Sequence, residues 1–162
     1  MITELKYGKL EFQDINVALV KHALFTGSQR FFKTGNDLDY VITWEDLKNK
    51  LPELFREYRR NQNKGCYPSI CALGFRNYPD SFDLIKINVD GGKIDLIIVH
   101  NDLEFNLWKF ATNCVVRLCA SPAKRMIQKK KKYRVELFEF FKKMYRDEHS
   151  EEYDKMGVRF KL

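Results

Sequence analysis

Apolar positions along the chain recur at two periods, and the places where the period changes outline the elements. From Ile15 to Ala23 (INVALVKHA) they fall at helical spacing. Ala23-Leu24-Phe25 continues as a short extended run into the turn Thr26-Gly27-Ser28. Residues 39–43 (DYVIT) are β-branched and aromatic and predict a strand. Thr43 is placed to cap a following helix, with Asp46 three residues on. Leu47, Leu51, Leu54, Phe55 and Tyr58 then repeat at helical intervals to about Asn61. A break is expected near Lys50, because Pro52 can start a helix but is costly inside one. Residues 67–76 (YPSICALGFR) predict a strand; 82–89 and 93–99 predict two more, joined as a hairpin through Asp90-Gly91-Gly92. Phe105 to Leu118 predicts a helix with Trp108, Ala111, Val115 and Leu118 on one side, ended by Ser121-Pro122. A last helix is expected from about Lys124 to Arg146, striped by Leu137, Phe138, Phe141, Met144 and Tyr145, and the final sixteen residues read as irregular. Helices before and between strands, without regular βαβ alternation, predict an α/β fold of the α+β type: a mixed sheet with helices on one face.

With 162 residues, 44% of them hydrophobic, the chain suffices for one compact domain and a helical appendage, divided at 1–120 and 121–162. No stretch approaches the roughly 20 apolar residues of a membrane span, and MITELKYGKLEFQD lacks the apolar region of a secretory signal. A cytoplasmic protein with no membrane partner is the expectation. Charge changes the picture more. The net +7 belongs to one stretch: residues 124–146 hold ten Lys/Arg against two Asp/Glu, whereas residues 1–123 hold 16 against 15 and residues 147–162 three against five. Such localisation favours an acidic macromolecule meeting one face, nucleic acid being the commonest. Lys129, Lys130, Lys131, Lys132 and Arg134 are the candidate nucleic-acid contacts. The same segment also reads as an amphipathic helix whose aromatic face closes the core.

Cys66, Cys71, Cys114 and Cys119 form two C-x4-C pairs, but both lie in apolar, regularly patterned segments, so buried thiols are favoured over zinc. His22, His100 and His149 have no spacing suited to a metal or a triad and read as loop or surface residues.

The chemistry concentrates in GSQRFFKTGNDLD, residues 27–39, and in Asp95. Residues i and i+2 of a strand share a face, so Asp37 and Asp39 project together. Alternation in KIDLIIV sets Ile94, Leu96 and Ile98 against Asp95, Ile97 and Val99, and a carboxylate within so apolar a strand needs a partner. Oxygen ligands of this kind suit magnesium. Gly27 lets backbone approach a phosphate, Ser28 adds a hydroxyl donor, and Arg30 and Lys33 lie near enough in sequence to neutralise phosphate charge. Trp108 could stack on a base and Lys109 reach a phosphate, although a core tryptophan is an equally good reading. Arg76 and Lys86 flank the Asp95 strand as alternative counter-charges.

This ordered set, a Gly-Ser turn, a short helix, Asp-x-Asp on a strand and a later strand carboxylate, resembles the signature of the polymerase-β-like nucleotidyltransferases in their minimal form. The resemblance spans about residues 15–118, with Phe31-Phe32 standing where small residues are usual. It implies that Ser28 contacts triphosphate and that Asp37, Asp39 and Asp95 hold two Mg2+ ions, with Mn2+ an alternative. It also implies that Asp95 helps to activate the attacking hydroxyl. The implied activity is transfer of a nucleoside monophosphate from an NTP to a hydroxyl, with release of pyrophosphate. The basic segment favours an RNA or tRNA end as acceptor, then a protein side chain. The competing readings are a non-catalytic module that binds nucleic acid or a partner, and half of a pair whose protein partner completes or blocks the site.

Overall fold

The computed structural model describes residues 2–6, 12–32, 37–61, 83–89, 92–122 and 131–155. Its strands are β1 (Ile2–Lys6), β2 (Leu24–Thr26), β3 (Asp37–Thr43), β4 (Asp83–Val89) and β5 (Gly92–Val99). They form one sheet in the order β1-β4-β5-β3-β2. β1 runs parallel to β4 and β3 parallel to β5, whereas β4/β5 and β2/β3 are antiparallel. The helices are α1 (Phe12–His22), α2 (Gly27–Phe32), α3 (Trp44–Lys50), α4 (Pro52–Asn61), α5 (Asp102–Cys119), α6 (Lys131–Glu148) and α7 (Ser150–Lys155). The expected α+β class with a mixed sheet is borne out.

The helices cover both faces, which corrects the expectation of one. β3 and β5 carry two apolar sets each, and each set needs a cover. Tyr40, Ile42, Ile94, Leu96 and Ile98 are buried with Ile15 and Leu19 of α1, Leu47 of α3 and Leu54 of α4. On the opposite face, Val41 and Val99 are buried with Leu107 and Trp108 of α5, Tyr145 of α6 and Tyr153 of α7.

Local chemistry sets the element ends. Thr43 Oγ1 accepts from the Asp46 N–H at 3.1 Å, the expected N-cap of α3. Pro52 stands at the first position of α4, where its missing N–H is harmless, so the anticipated break falls between α3 and α4. Asn101 Oδ1 accepts from the Glu104 N–H at 3.0 Å and caps α5. The strand expected over 67–76 and Cys66 and Cys71 lie outside the described residues. Cys114 and Cys119 both sit on α5, half-buried and buried. His22, His100 and His149 are half-buried, and His149 stacks on the Tyr145 ring with centroids 4.0 Å apart. Among the described residues no helix is long and apolar enough to cross a membrane.

The segment expected to be irregular instead supplies α7, whose Tyr153 is fully buried. Its hydroxyl lies against the carboxyl of Glu104, which is 1% exposed. Lys142 of α6 is 3% exposed and sets its ammonium 3.9 Å from the Trp108 ring centroid. Burial pushes Glu104 up to about 7, with Tyr153 and Lys142 offsetting part of the rise. The sign follows from linkage. Below pH 4.5 the carboxyl is neutral in both states; from 4.5 to 7 the unfolded chain ionises first and stability falls as pH rises. Glu104→Gln, which keeps a group for Tyr153, is therefore expected to leave the melting temperature nearly unchanged at pH 4 or below. At pH 8 it should raise stability by about 1–3 kcal/mol. Thermal melts at the two pH values check this, and equal shifts at both would refute it.

Candidate active site

The parallel register of β3 and β5 sets Asp39 directly beside Asp95, and Asp37 beside Lys93. Across the next pairings Thr26 of β2 stands beside Asp39, and Lys86 of β4 beside Asp95. Thr26, Asp39, Asp95 and Lys86 thus form a polar row across four strands, on the face that α5 and α6 cover further along. The register sets Asp39 beside Asp95 with Asp37 two residues away on the same face, and Lys86 and Lys93 are the counter-charges of Asp95; Arg76 lies outside the described residues.

Their proximity has an electrostatic cost. Burial, then the charges of Asp95 and Asp37, push Asp39 up to about 7. Burial and Asp37 also raise Asp95, but Lys86, the hydrogen bond with Asp39 and Lys93 all favour its charged form. Burial and neighbouring carboxylates thus raise both groups, Asp39 the further of the two.

Gly27 is held against this pair. Its φ is +82°, in the left-handed region, and a Cβ there would sit 2.0 Å from Asp39 Oδ2. Backbone takes the place that any side chain would deny to the carboxylate. Next to it, Thr26 and Thr112 of α5 share a buried hydroxyl hydrogen bond of 2.9 Å, which ties the end of β2 to α5.

Above Gly27 and Asp39 opens a cavity of about 280 Å3. Thr26 and Ile97 line its floor, Phe31 and Trp108 its sides, and Arg134, Val135, Phe138 and Glu139 of α6 its outer wall. The volume is just under the roughly 300–1,000 Å3 of small-molecule sites. One end is acidic, the middle is aromatic and the far wall carries one cation and one carboxylate.

The other predicted residues divide. Trp108 reaches the cavity, but it is only 8% exposed, its ring touches Phe138 at 5.3 Å between centroids and Lys142 occupies one face. It supports the wall more than it offers an open stacking surface. Lys109, one position on, is exposed and does not line the cavity. Ser28 is half-buried on α2 and Arg30 exposed, neither lining the cavity; Lys33 lies outside the described residues. Of the basic segment, Lys129 and Lys130 lie outside the described residues, Lys131 begins α6 and Lys132 is exposed. Arg134 turns inward, over the Phe32 ring at 5.4 Å, and joins the cavity wall. Sequence reasoning missed Phe31, Val135, Phe138 and Glu139. For the three on α6 the signal was the phase of that helix, in which Arg134, Phe138 and Tyr145 share one side.

Among the described residues no three acidic, imidazole or thiol groups converge tightly enough to form a ready-made ion cage. The donor set nevertheless fits a hard divalent cation. It is all oxygen, and burial first, then the charges of Asp95 and Asp37, hold Asp39 up to about 7. No protein-family model, curated protein or solved structure matches the chain.

Proposed function

We propose that the chain is a magnesium-dependent nucleotidyltransferase of the polymerase-β-like kind. The observation that carries the reading is the register of Asp39 beside Asp95, with Asp37 on the same face and Gly27 backbone against Asp39. In this reading an acceptor hydroxyl attacks the α-phosphorus of an NTP. The new bond is oxygen to α-phosphorus, the bond to the bridging oxygen breaks, and pyrophosphate leaves. Two Mg2+ ions, or Mn2+, on Asp37, Asp39 and Asp95 would supply charge neutralisation at the attacking and leaving oxygens. Asp95, with Lys86 and Lys93 offsetting part of the cost of its charge, takes the proton of the attacking hydroxyl. Gly27 admits the triphosphate close to the backbone. Phe31 and Phe138 supply apolar walls for base and ribose, and Arg134 balances phosphate charge from the opposite wall. The acceptor is an acidic macromolecule, an RNA end before a protein side chain, because the surplus charge lies on residues 124–146, of which Arg134 lines this cavity.

The test is label transfer. Protein, Mg2+ and each α-labelled NTP are incubated with total RNA or with a protein extract, beside the Asp37→Asn/Asp39→Asn double variant. Label is expected in RNA with wild-type protein only, and to vanish with chelator. Transfer that persists in the double variant would refute the assignment of these carboxylates. NTP binding without transfer to either acceptor would favour the non-catalytic module.

A further inference from the structure

α6 is buried along one side by Phe138, Lys142 and Tyr145, which face α5 and the cavity. A helix packed in this way ordinarily shows water a polar back. Here the outer side carries Tyr133, Phe140 and Met144, which are 39, 57 and 37% exposed, and Leu137, half-buried against the Val115 and Cys119 cluster of α5, stands at its edge. Tyr133 and Phe140 are seven apart, as are Leu137 and Met144, and the two sets alternate at four and three residues. That is the seam spacing of a helix that packs against another helix.

The charges beside the seam identify the other helix. Glu136 and Lys143 precede the two members of one set and stand on the same flank; Lys132 and Asp147 continue that flank at either end. All four are exposed. When two helices pack antiparallel, like flanks meet, so Glu136 of one copy faces Lys143 of the other, and the reverse. Lys132 falls near the partner's Asp147 in the same register. The basic start and acidic end of α6 are likewise matched only when a second copy runs the opposite way. A polyanion is the poorer occupant, since this flank carries as many carboxylates as ammonium groups.

We propose that the chain forms a two-fold symmetric homodimer through antiparallel pairing of α6, with Phe140 near the axis. The contact braces the helix that walls the cavity and leaves the cavity side of α6 untouched. It does not depend on which reaction the cavity serves.

The full chain is tested by sedimentation equilibrium from about 1 to 200 µM, spanning weak to stable association. A mass approaching twice 19.3 kDa is expected. Phe140→Asp, at an exposed position and with its fold checked by circular dichroism, should raise the dissociation constant at least about tenfold. Glu136→Lys and Lys143→Glu should each raise it roughly threefold to tenfold. The double variant Glu136→Lys/Lys143→Glu should return it to about the wild-type value. A monomer throughout overturns the proposal, as does a dimer indifferent to Phe140→Asp. Failure of the double variant to recover overturns the antiparallel register. Monomeric wild-type protein whose RNA binding falls in Phe140→Asp would give the seam to nucleic acid and also overturn the dimer.

Discussion

Replacing Gly27 by alanine is expected to lower stability by about 2–4 kcal/mol and to reduce transfer at least about a hundredfold. Two independent causes add. The left-handed backbone, φ +82°, costs an L-residue roughly 1–2 kcal/mol. The new methyl would then stand 2.0 Å from Asp39 Oδ2, 2.7 Å from its Cγ and 2.9 Å from its Cβ. Rotating the carboxylate relieves the first two contacts but not the third, because the Asp39 Cβ is fixed to β3. Either β3 or the start of α2 has to shift, and each movement separates Asp39 from Asp95. Ser28→Ala, one residue on, adds no atom and should leave the unfolding free energy within about 0.5 kcal/mol of wild type. Urea denaturation and the transfer assay on both variants check the pair. A Gly27→Ala protein with wild-type midpoint and rate would refute the view that this glycine is there to admit the carboxylate.

The parts of this site that were legible in the sequence are those with a local cause. Asp37, Asp39 and Asp95 could be placed on one face because strand alternation is a two-residue rule. The Thr43 cap and the break before Pro52 depend on groups three or four residues apart. What was not legible depends on distant partners. β1, ITELK, has too little alternation to declare a strand, and it is defined by parallel pairing with β4 some eighty residues later. α7, SEEYDK, is mostly charged and forms around the burial of Tyr153. Glu104 and Lys142 belong to residue types that composition assigns to the surface, yet both are interior because each finds its partners there. The same limit explains Arg134. A run of basic residues announces its charge but not which of its members turns inward, and that depends on the phase of α6 against α5. The second helical layer escaped notice for a related reason. Val41, Ile97 and Val99 were visible beside the carboxylates, but nothing local says that α5, α6 and α7 cover them.

Asp39→Asn separates the roles of charge and shape at the same spot. In metal-free buffer at pH 8 the variant is expected to be more stable than wild type by roughly 1–2 kcal/mol, solvent screening of a half-buried group having been allowed for. The sign comes from the raised pKa. Asp39 ionises near 7 in the folded protein against 3.8 ordinarily, so folding becomes less favourable as pH rises through that interval. Asparagine is never charged and keeps the shape of the side chain. At pH 4 or below the advantage should disappear. With the proposed metal site, adding Mg2+ or Mn2+ is expected to reverse the order. Wild-type protein should gain about 2.7 kcal/mol at a cation concentration a hundredfold above the dissociation constant, and the variant should gain little. Transfer by the variant should fall at least about a thousandfold, the loss expected when several kcal/mol of charge stabilisation is removed from the transition state. Melting curves with and without cation at the two pH values, together with transfer rates, test all of this. Equal cation-induced stabilisation of both proteins would move the metal away from Asp39. A variant less stable than wild type without metal would show that an ionised Asp39 carries no cost from burial or from Asp95 and Asp37, and the case for a cation there would fall with that cost.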